Sequence, residues 1–224
     1  MKLSERLFRV ARHVLPGQPM ADVGTDHGQL PVWLVHHGHV PRAIAMDLRE
    51  GPLSVARRQV ARGCVGAQVS CRLSDGLAAL KPGEAATVTI CGMGGGLMRT
   101  ILNAHPAVRQ SVKRLVLQPN NDAPQLRAAL QAMSWGICEE DLLIEGRYIY
   151  PIIVAEQFDV SPRYDRQDIE FGPILRRRRL PEFTEMLRRQ EAHIQWVLTQ
   201  CQSSPESVAR FSAELAMVQS EIQA

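Results

Sequence analysis

At 224 residues with 45% hydrophobic side chains, the chain matches one ordinary domain plus an appendage and carries enough apolar material for a sizeable core, which excludes a disordered or fibrous protein. Its five cysteines contain no C-x-x-C pair, which excludes a disulfide framework and a zinc knuckle, and no apolar run reaches the length of a signal core or a membrane span, so reduced thiols and a cytoplasmic location are expected. A net charge of +3 is too small to argue for a nucleic-acid partner, so that argument falls to local basic patches.

The first patch is at the N-terminus. Leu3, Leu7, Val10, Ala11 and Val14 recur at helical spacing while Lys2, Arg6, Arg9 and Arg12 take the other faces. This predicts a basic amphipathic helix that starts at Ser4 and ends at Pro16-Gly17; its cations face either solvent or phosphate. A short apolar strand, Met20 to Val23, then runs into the turn Gly24-x-Asp26-x-Gly28. A dinucleotide fold would place G-x-G-x-x-G here, with glycine backbone around a pyrophosphate. Asp22 and Asp26 would repel a pyrophosphate and attract a sulfonium and an amino group, so the turn points to S-adenosylmethionine. The plainer alternative is an acid that caps the next helix.

That helix (Leu30, Leu34, Val35) closes at His36-His37-Gly38-His39, where histidines suit the negative helix end; no acid or cysteine completes a ligand set, so no metal is expected. Arg42 to Asp47 reads as a second strand ending in an acid about 20 residues past the glycine turn, where a nucleoside-binding fold holds ribose hydroxyls. A helix from Pro52 to Arg62 and a strand from Gln68 to Arg72 lead to Ser74-Asp75-Gly76-Leu77. Asp75 is placed to receive an adenine amino group, or makes a simple Asp-Gly turn. Acids thus follow three successive strands.

Strand four, Ala86 to Ile90, leads into Cys91-Gly92-Met93-Gly94-Gly95-Gly96, whose glycines admit another molecule close to the backbone. Strand five, Arg114 to Gln118, ends in Pro119-Asn120-Asn121-Asp122, with Asn120 available to a substrate base. After a helix from Gln125 to Met133, two apolar runs, Cys138 to Ile144 and Tyr148 to Glu156, flank Glu145-Gly146-Arg147 as a hairpin. The order implies an α/β fold: a doubly wound, Rossmann-like sheet with an antiparallel edge.

These residues carry a resemblance. Leu3-Ser4-x-Arg6-Leu7, Ala21-Asp-Val-Gly-Thr-Asp-His27, Asp75-Gly76-Leu77, Cys91-Gly-Met-Gly-Gly95, Leu117-Gln-Pro-Asn120 and Asp168-Ile-Glu-x-Gly172-Pro together resemble the bacterial tRNA (adenine(22)-N(1))-methyltransferase family over essentially the whole chain. The resemblance implies a class I methyltransferase domain, S-adenosylmethionine as methyl donor, and a tRNA D-arm adenine as acceptor. With the strand-end reading it gives a cofactor set of Asp22, Gly24, Thr25, Asp26, His27, Gly28, Asp47, Leu48, Asp75, Gly76, Cys91, Gly92, Met93 and Gly94. Asp26, His27 and Asn120 are the catalytic candidates. The family usually has Ala-Tyr where this chain has Gly28-Gln29, so the aromatic able to stack on the target base is missing at position 29, leaving Phe8, Trp33 or Tyr148 to replace it.

The chemistry also follows from the residues. An exocyclic amine acceptor calls for Asn/Asp-Pro-Pro-aromatic after strand four, and Cys-Gly-Met-Gly stands there instead. Adenine N1 has an in-plane lone pair and needs alignment more than deprotonation. Asp26, accepting from the amino group, would offset the positive charge that builds on the ring. N1 lies on the Watson–Crick edge, so the adenine must be extruded and the RNA anchored. The anchor candidates are Arg6, Arg9, Arg12 and Gln29, plus Arg176, Arg177 and Arg178 in a basic linker that opens the last segment. A domain spanning 1–160 is therefore followed by 161–224, where Leu187, Ile194, Val197 and Cys201, then Val208, Phe211, Leu215, Val218 and Ile222, predict a coiled-coil-like antiparallel helical hairpin. Ser204 and Pro205 begin its second helix. The segment 161–224 holds nine basic and nine acidic side chains, so shape plus an arginine patch would serve RNA there. The expected protein is a tRNA methyltransferase, monomer or weak dimer; the alternatives are a small-molecule methyltransferase or a cofactor-binding regulator with a protein partner.

Overall fold

The computed structural model describes residues 2–160, 162–200 and 204–224, so Ser161 at the expected boundary and Cys201 in the expected seam lie outside the described residues. Seven strands form one sheet in the order β3-β2-β1-β4-β5-β7-β6. They are β1 (Met20–Val23), β2 (Ala43–Asp47), β3 (Val69–Leu73), β4 (Thr87–Gly94), β5 (Arg114–Asn121), β6 (Trp135–Glu145) and β7 (Tyr148–Gln157). The first five are parallel, and β7 and β6 close the edge antiparallel. Every residue of β1 and of β2 is buried, as parallel strands covered on both faces require. Alternate residues feed two cores: Ile44 and Met46 join one, Ala43 and Ala45 the other.

Helices α1 (Glu5–Arg12), α2 (Gln29–His36) and α3 (Glu50–Arg62) cover one face, and α4 (Gly95–Ala104), α5 (Pro106–Ser111) and α6 (Ala123–Ala132) the other. Helices α4 and α5 lie in a segment where no element was expected, although Leu97, Met98, Ile101 and Leu102 have helical spacing. Helix α1 stops at Arg12, short of Pro16-Gly17, and is capped by Ser4, whose hydroxyl accepts from the Leu7 amide at 3.3 Å. The glycine-rich segment after Ile90 is not a free turn. β4 continues through Gly94, with register shifts at Cys91/Met93 and Met93/Gly94. Side-chain amides take over from the regular ladder there: Gln118 Oε1 accepts from the Gly92 amide at 3.2 Å, and Asn120 Nδ2 donates to the Gly92 carbonyl at 2.8 Å.

The expected basic linker is instead two short helices, α7 (Arg166–Phe171) and α8 (Pro173–Arg178), followed by α9 (Pro181–Gln200) and α10 (Pro205–Gln223), the latter capped by Ser204. Phe183, Leu187, Ile194 and Val218 from the last two helices share a core with Leu142 of β6 and with Phe171 and Leu175. Beneath α8, Glu140 is 1% exposed and accepts from Arg127 Nε at 2.8 Å and from the Ile174 amide at 2.9 Å. Gly172, at φ +98°, makes room, since a Cβ there would sit 2.5 Å from the Glu140 carboxylate.

Removing one member of a buried ion pair leaves the other charge unsolvated and unpaired. Arg127→Met is therefore expected to lower unfolding free energy by about 3–5 kcal/mol, read from urea denaturation. A loss below about 1 kcal/mol would show that Glu140 is held adequately by backbone amides alone.

Candidate active site

The strand order reverses between β1 and β4, and a cleft of about 530 Å³ opens at their carboxyl ends, where a wound sheet takes its ligands. Gly24 follows β1 directly at φ +69°, and a Cβ there would collide with Met93 Cε, so glycine is needed both for the turn and for the close approach of the β4 end. The Thr25 amide then donates to the Met46 carbonyl at 2.8 Å, folding the chain across the end of β2. Asp26 sits in the left-handed region at φ 52°. Its backbone amide donates to Asp47 Oδ2 at 3.2 Å, and the Arg49 amide donates to Asp47 Oδ1 at 3.0 Å. Asp47, only 7% exposed, is thus fixed by the backbone and keeps further lone pairs for hydroxyl donors.

Asp22 differs from its expected place beside a cationic ligand. It is 5% exposed and accepts from Thr25 Oγ1 at 2.7 Å and from Thr89 Oγ1 at 2.5 Å, which turns its carboxylate into the sheet. Burial pushes its pKa up to about 6 against the pull of those hydroxyls. The exposed acids of the cleft are Asp26 and Asp75, at its mouth. His27 Nε2 lies 3.4 Å from Asp26 Oδ2. With Asp22 turned into the sheet, the lining residues still hold three other carboxylates (Asp26, Asp47, Asp75) against two guanidiniums (Arg6, Arg49), so the cleft favours cations. Apolar contact comes from Leu48 and Leu97, which are 63% and 54% exposed, and from Met93 and Ile101.

Thr25, Gly76, Cys91, Gly92 and Gln29 also line the cleft, whereas Gly28, Gly94 and Asn120 do not. Gly28 is the α2 N-cap, pressed against Ala56. No side chain caps α2, so an acid serving as its cap is ruled out for Asp26. Gly94 packs under Asn121, and Asn120 is tied to Gly92. Of the basic candidates, Arg6 is a wall of the cleft, with Nη1 donating to Gln118 Oε1 at 2.6 Å. Arg9 is paired with Asp141 at 2.9 Å and with Glu5. Arg176 is paired with Asp168 and Glu221, and Arg178 with Glu139. Arg12 and Arg177 are exposed, with no ion pair among the described residues. Arg49, Ser74, Leu97 and Ile101 line the cleft beyond the expected set; the helical spacing of α4, which starts where β4 ends, is the signal for the last two.

Among the described residues no three His, Cys, Asp or Glu side chains gather as a metal site, and no helix is long and apolar enough to cross a membrane. A parallel sheet wound about an acidic cleft at its switch point, closed by an antiparallel β7 and β6, is the fold of the S-adenosylmethionine-dependent methyltransferases. The family model described as tRNA (adenine(22)-N(1))-methyltransferase matches residues 20–224, and the chain belongs to that family. The Bacillus subtilis (strain 168) protein of that description is 34% identical over 211 residues, covering 92% of this chain and 89% of its own. A Streptococcus pneumoniae structure in complex with S-adenosyl-L-methionine has a TM-score of 0.92 at 31% identity, covering 99% of this chain and 100% of that one. The M. capricolum TrmK, solved with S-adenosyl-homocysteine, has a TM-score of 0.89 at 25% identity, covering 100% of this chain and 99% of its own.

The raised pKa of Asp22 fixes a sign. The folded chain binds this proton more tightly than the unfolded one, so the contribution to stability is complete below pH 3.8 and is lost as pH rises through about 6. Titrating the Asp22 carboxyl carbon by NMR should give a midpoint near 6. Thr89→Val, which deletes a donor to the ionised form, should move it higher; an unchanged or lower midpoint would mean that the hydroxyl does not stabilise the carboxylate.

Proposed function

We propose that the chain transfers a methyl group from S-adenosylmethionine to N1 of adenine 22 in the D-arm of tRNA. The observation that carries the reading is the acidic cleft, with Asp26, Asp47 and Asp75 at the switch point of the sheet, in a chain of this family. The cleft suits the donor. Gly24 and Gly92, at φ +69° and +75°, let Met93 and Arg6 close up against the backbone at the floor, Asp47 offers a fixed acceptor for ribose hydroxyls, and Asp75 offers one for an adenine amino group. Leu48, Leu97 and Ile101 supply apolar faces. Bound there, S-adenosylmethionine supplies an electrophilic methyl group on a sulfonium.

The remaining work belongs to the chain. Adenine N1 attacks through its own lone pair, so no residue has to remove a proton first, and the cleft acts mainly by alignment. Asp26, exposed and with no backbone bond to its carboxylate among the described residues, accepts from the amino group of the target adenine and offsets the charge developing on the ring. His27, 3.4 Å away, orients that carboxylate. Asn120 is assigned a positioning role, holding the Gly92 carbonyl, in place of direct contact with the base. Residues 1–160 carry out transfer and 161–224 help hold RNA, with Arg12 and Arg177 as phosphate contacts because their neighbours Arg9, Arg176 and Arg178 are committed to carboxylates. A cytoplasmic monomer or weak dimer with tRNA as its partner completes the reading, and sedimentation with and without tRNA checks the stoichiometry.

Incubation with unmodified tRNA and methyl-labelled donor, followed by digestion to nucleosides, should give 1-methyladenosine, and tRNA carrying guanine at position 22 should give none. Normal tRNA binding without 1-methyladenosine would overturn the assignment. Asp26→Asn should cut the single-turnover rate by roughly 10–100-fold while changing donor affinity less; the reverse split would make Asp26 a cofactor ligand. Arg12→Ala and Arg177→Ala should each lower the slope of log affinity against log salt by about 0.7–0.9.

A further inference from the structure

Four planar side chains run in a row from the wall of the cleft to the tip of the β6–β7 hairpin. The Arg6 guanidinium lies 5.4 Å from the ring centre of Tyr150. Tyr150 and Tyr148 are near-parallel, with centroids 6.1 Å apart and planes at 24°. The Arg147 guanidinium lies 4.9 Å from the Tyr148 ring centre, and its Nη2 donates to the Tyr148 hydroxyl at 2.7 Å. Tyr148 and Tyr150 share a face of β7 because they are two residues apart. Further along that face Ile152 and Val154 are fully buried, so the strand passes from core to water at the tyrosines. Packing does not account for the outer half of the row: Tyr148 is 51% exposed, and Arg147 is exposed with no carboxylate partner among the described residues.

We propose that Arg6, Tyr150, Tyr148 and Arg147 form a stacking track for unpaired RNA bases that flank the adenine being methylated. This rests on the function proposed above. An adenine delivered through its Watson–Crick edge must leave its helix, and its neighbours then lose a stacking partner. A row of aromatic and guanidinium planes starting at the cleft wall replaces that stacking, with little dependence on base identity. Charge is not the main attraction here. Glu145 lies across from Tyr148 in the ladder, so an acid sits beside Arg147 and the tip offers faces in place of net charge. The tip is also held in place, since Arg189 Nη1 of α9 donates to the Gly146 carbonyl at 2.8 Å.

The test uses the full chain and tRNA binding measured by fluorescence anisotropy, alongside methylation kinetics. Tyr148→Ala and Arg147→Ala change exposed side chains, and circular dichroism melting should confirm that they stay folded. Each should raise the tRNA dissociation constant about tenfold, with the donor dissociation constant unchanged and kcat at saturating tRNA within about twofold. Tyr148→Phe should keep wild-type binding. Replacing the nucleotides beside position 22 with abasic ones should weaken wild-type binding and erase the Tyr148→Ala penalty. Unchanged tRNA affinity in both alanine variants overturns the track, and so does a Phe variant as weak as the Ala variant or a penalty that survives abasic substitution. Wild-type protein that binds tRNA but does not methylate it overturns the proposed reaction; a weakened Tyr148→Ala complex in that case still supports the track.

Discussion

The hydrogen bond between Thr89 and Asp22 joins β1 to β4 at the place where helices leave the sheet toward opposite faces. A cleft at a strand-order reversal exists because the two connections diverge, and the same divergence leaves the strand ends without lateral cover. Here a buried carboxylate bridges them, accepting from Thr89 on β4 and from Thr25 on the turn that follows β1. The turn is therefore fastened to its neighbouring strand from below, while Asp47 fastens it from the side through the Asp26 amide. With both anchors made, Gly24 is pressed against Met93.

Two acids fasten the backbone, and the other two do not. Asp26 and Asp75 stay exposed at the cleft mouth, where an ionised carboxylate has little desolvation to overcome. Depth thus separates the four carboxylates by task. The deepest has its pKa raised by burial and is structural, the next is pinned by amides and keeps lone pairs for hydroxyls, and the outer two can meet a cation. A site in which all four faced inward would have to neutralise most of its charge.

The acids after β1, β2 and β3 and the glycine turn were legible because each lies next to its strand in the chain, so local periodicity places it. The Ser204-Pro205 start of α10 was legible for the same reason. What the sequence hid is long-range. Nothing near Asp22 indicates that Thr89, 67 residues on, consumes one of its oxygens. Arg9 looks like a free cation until β6 brings Asp141 to it across 132 residues, and the arginine run looks like an RNA patch until α10 returns with Glu221. Cys91 to Gly94 reads as a loop because glycines usually end strands; β4 runs on because Gln118 and Asn120, side chains of β5, bond to Gly92.

That redistribution of arginines changes how the last helices meet the sheet. Arg176 and Arg179 both reach Glu221, which is 1% exposed, so the basic run stitches α8 to α10. Glu140, also 1% exposed, receives the first amides of α8 and so ties that helix to β6. Leu142 on the same strand completes the apolar core of α9 and α10. A buried, multiply bonded connection of this kind resists hinge motion, because opening it would expose charged groups with no partner. RNA resting on the C-terminal helices would consequently be held in fixed register with β6 and β7, and β7 carries the tyrosines that lead back to Arg6 at the cleft.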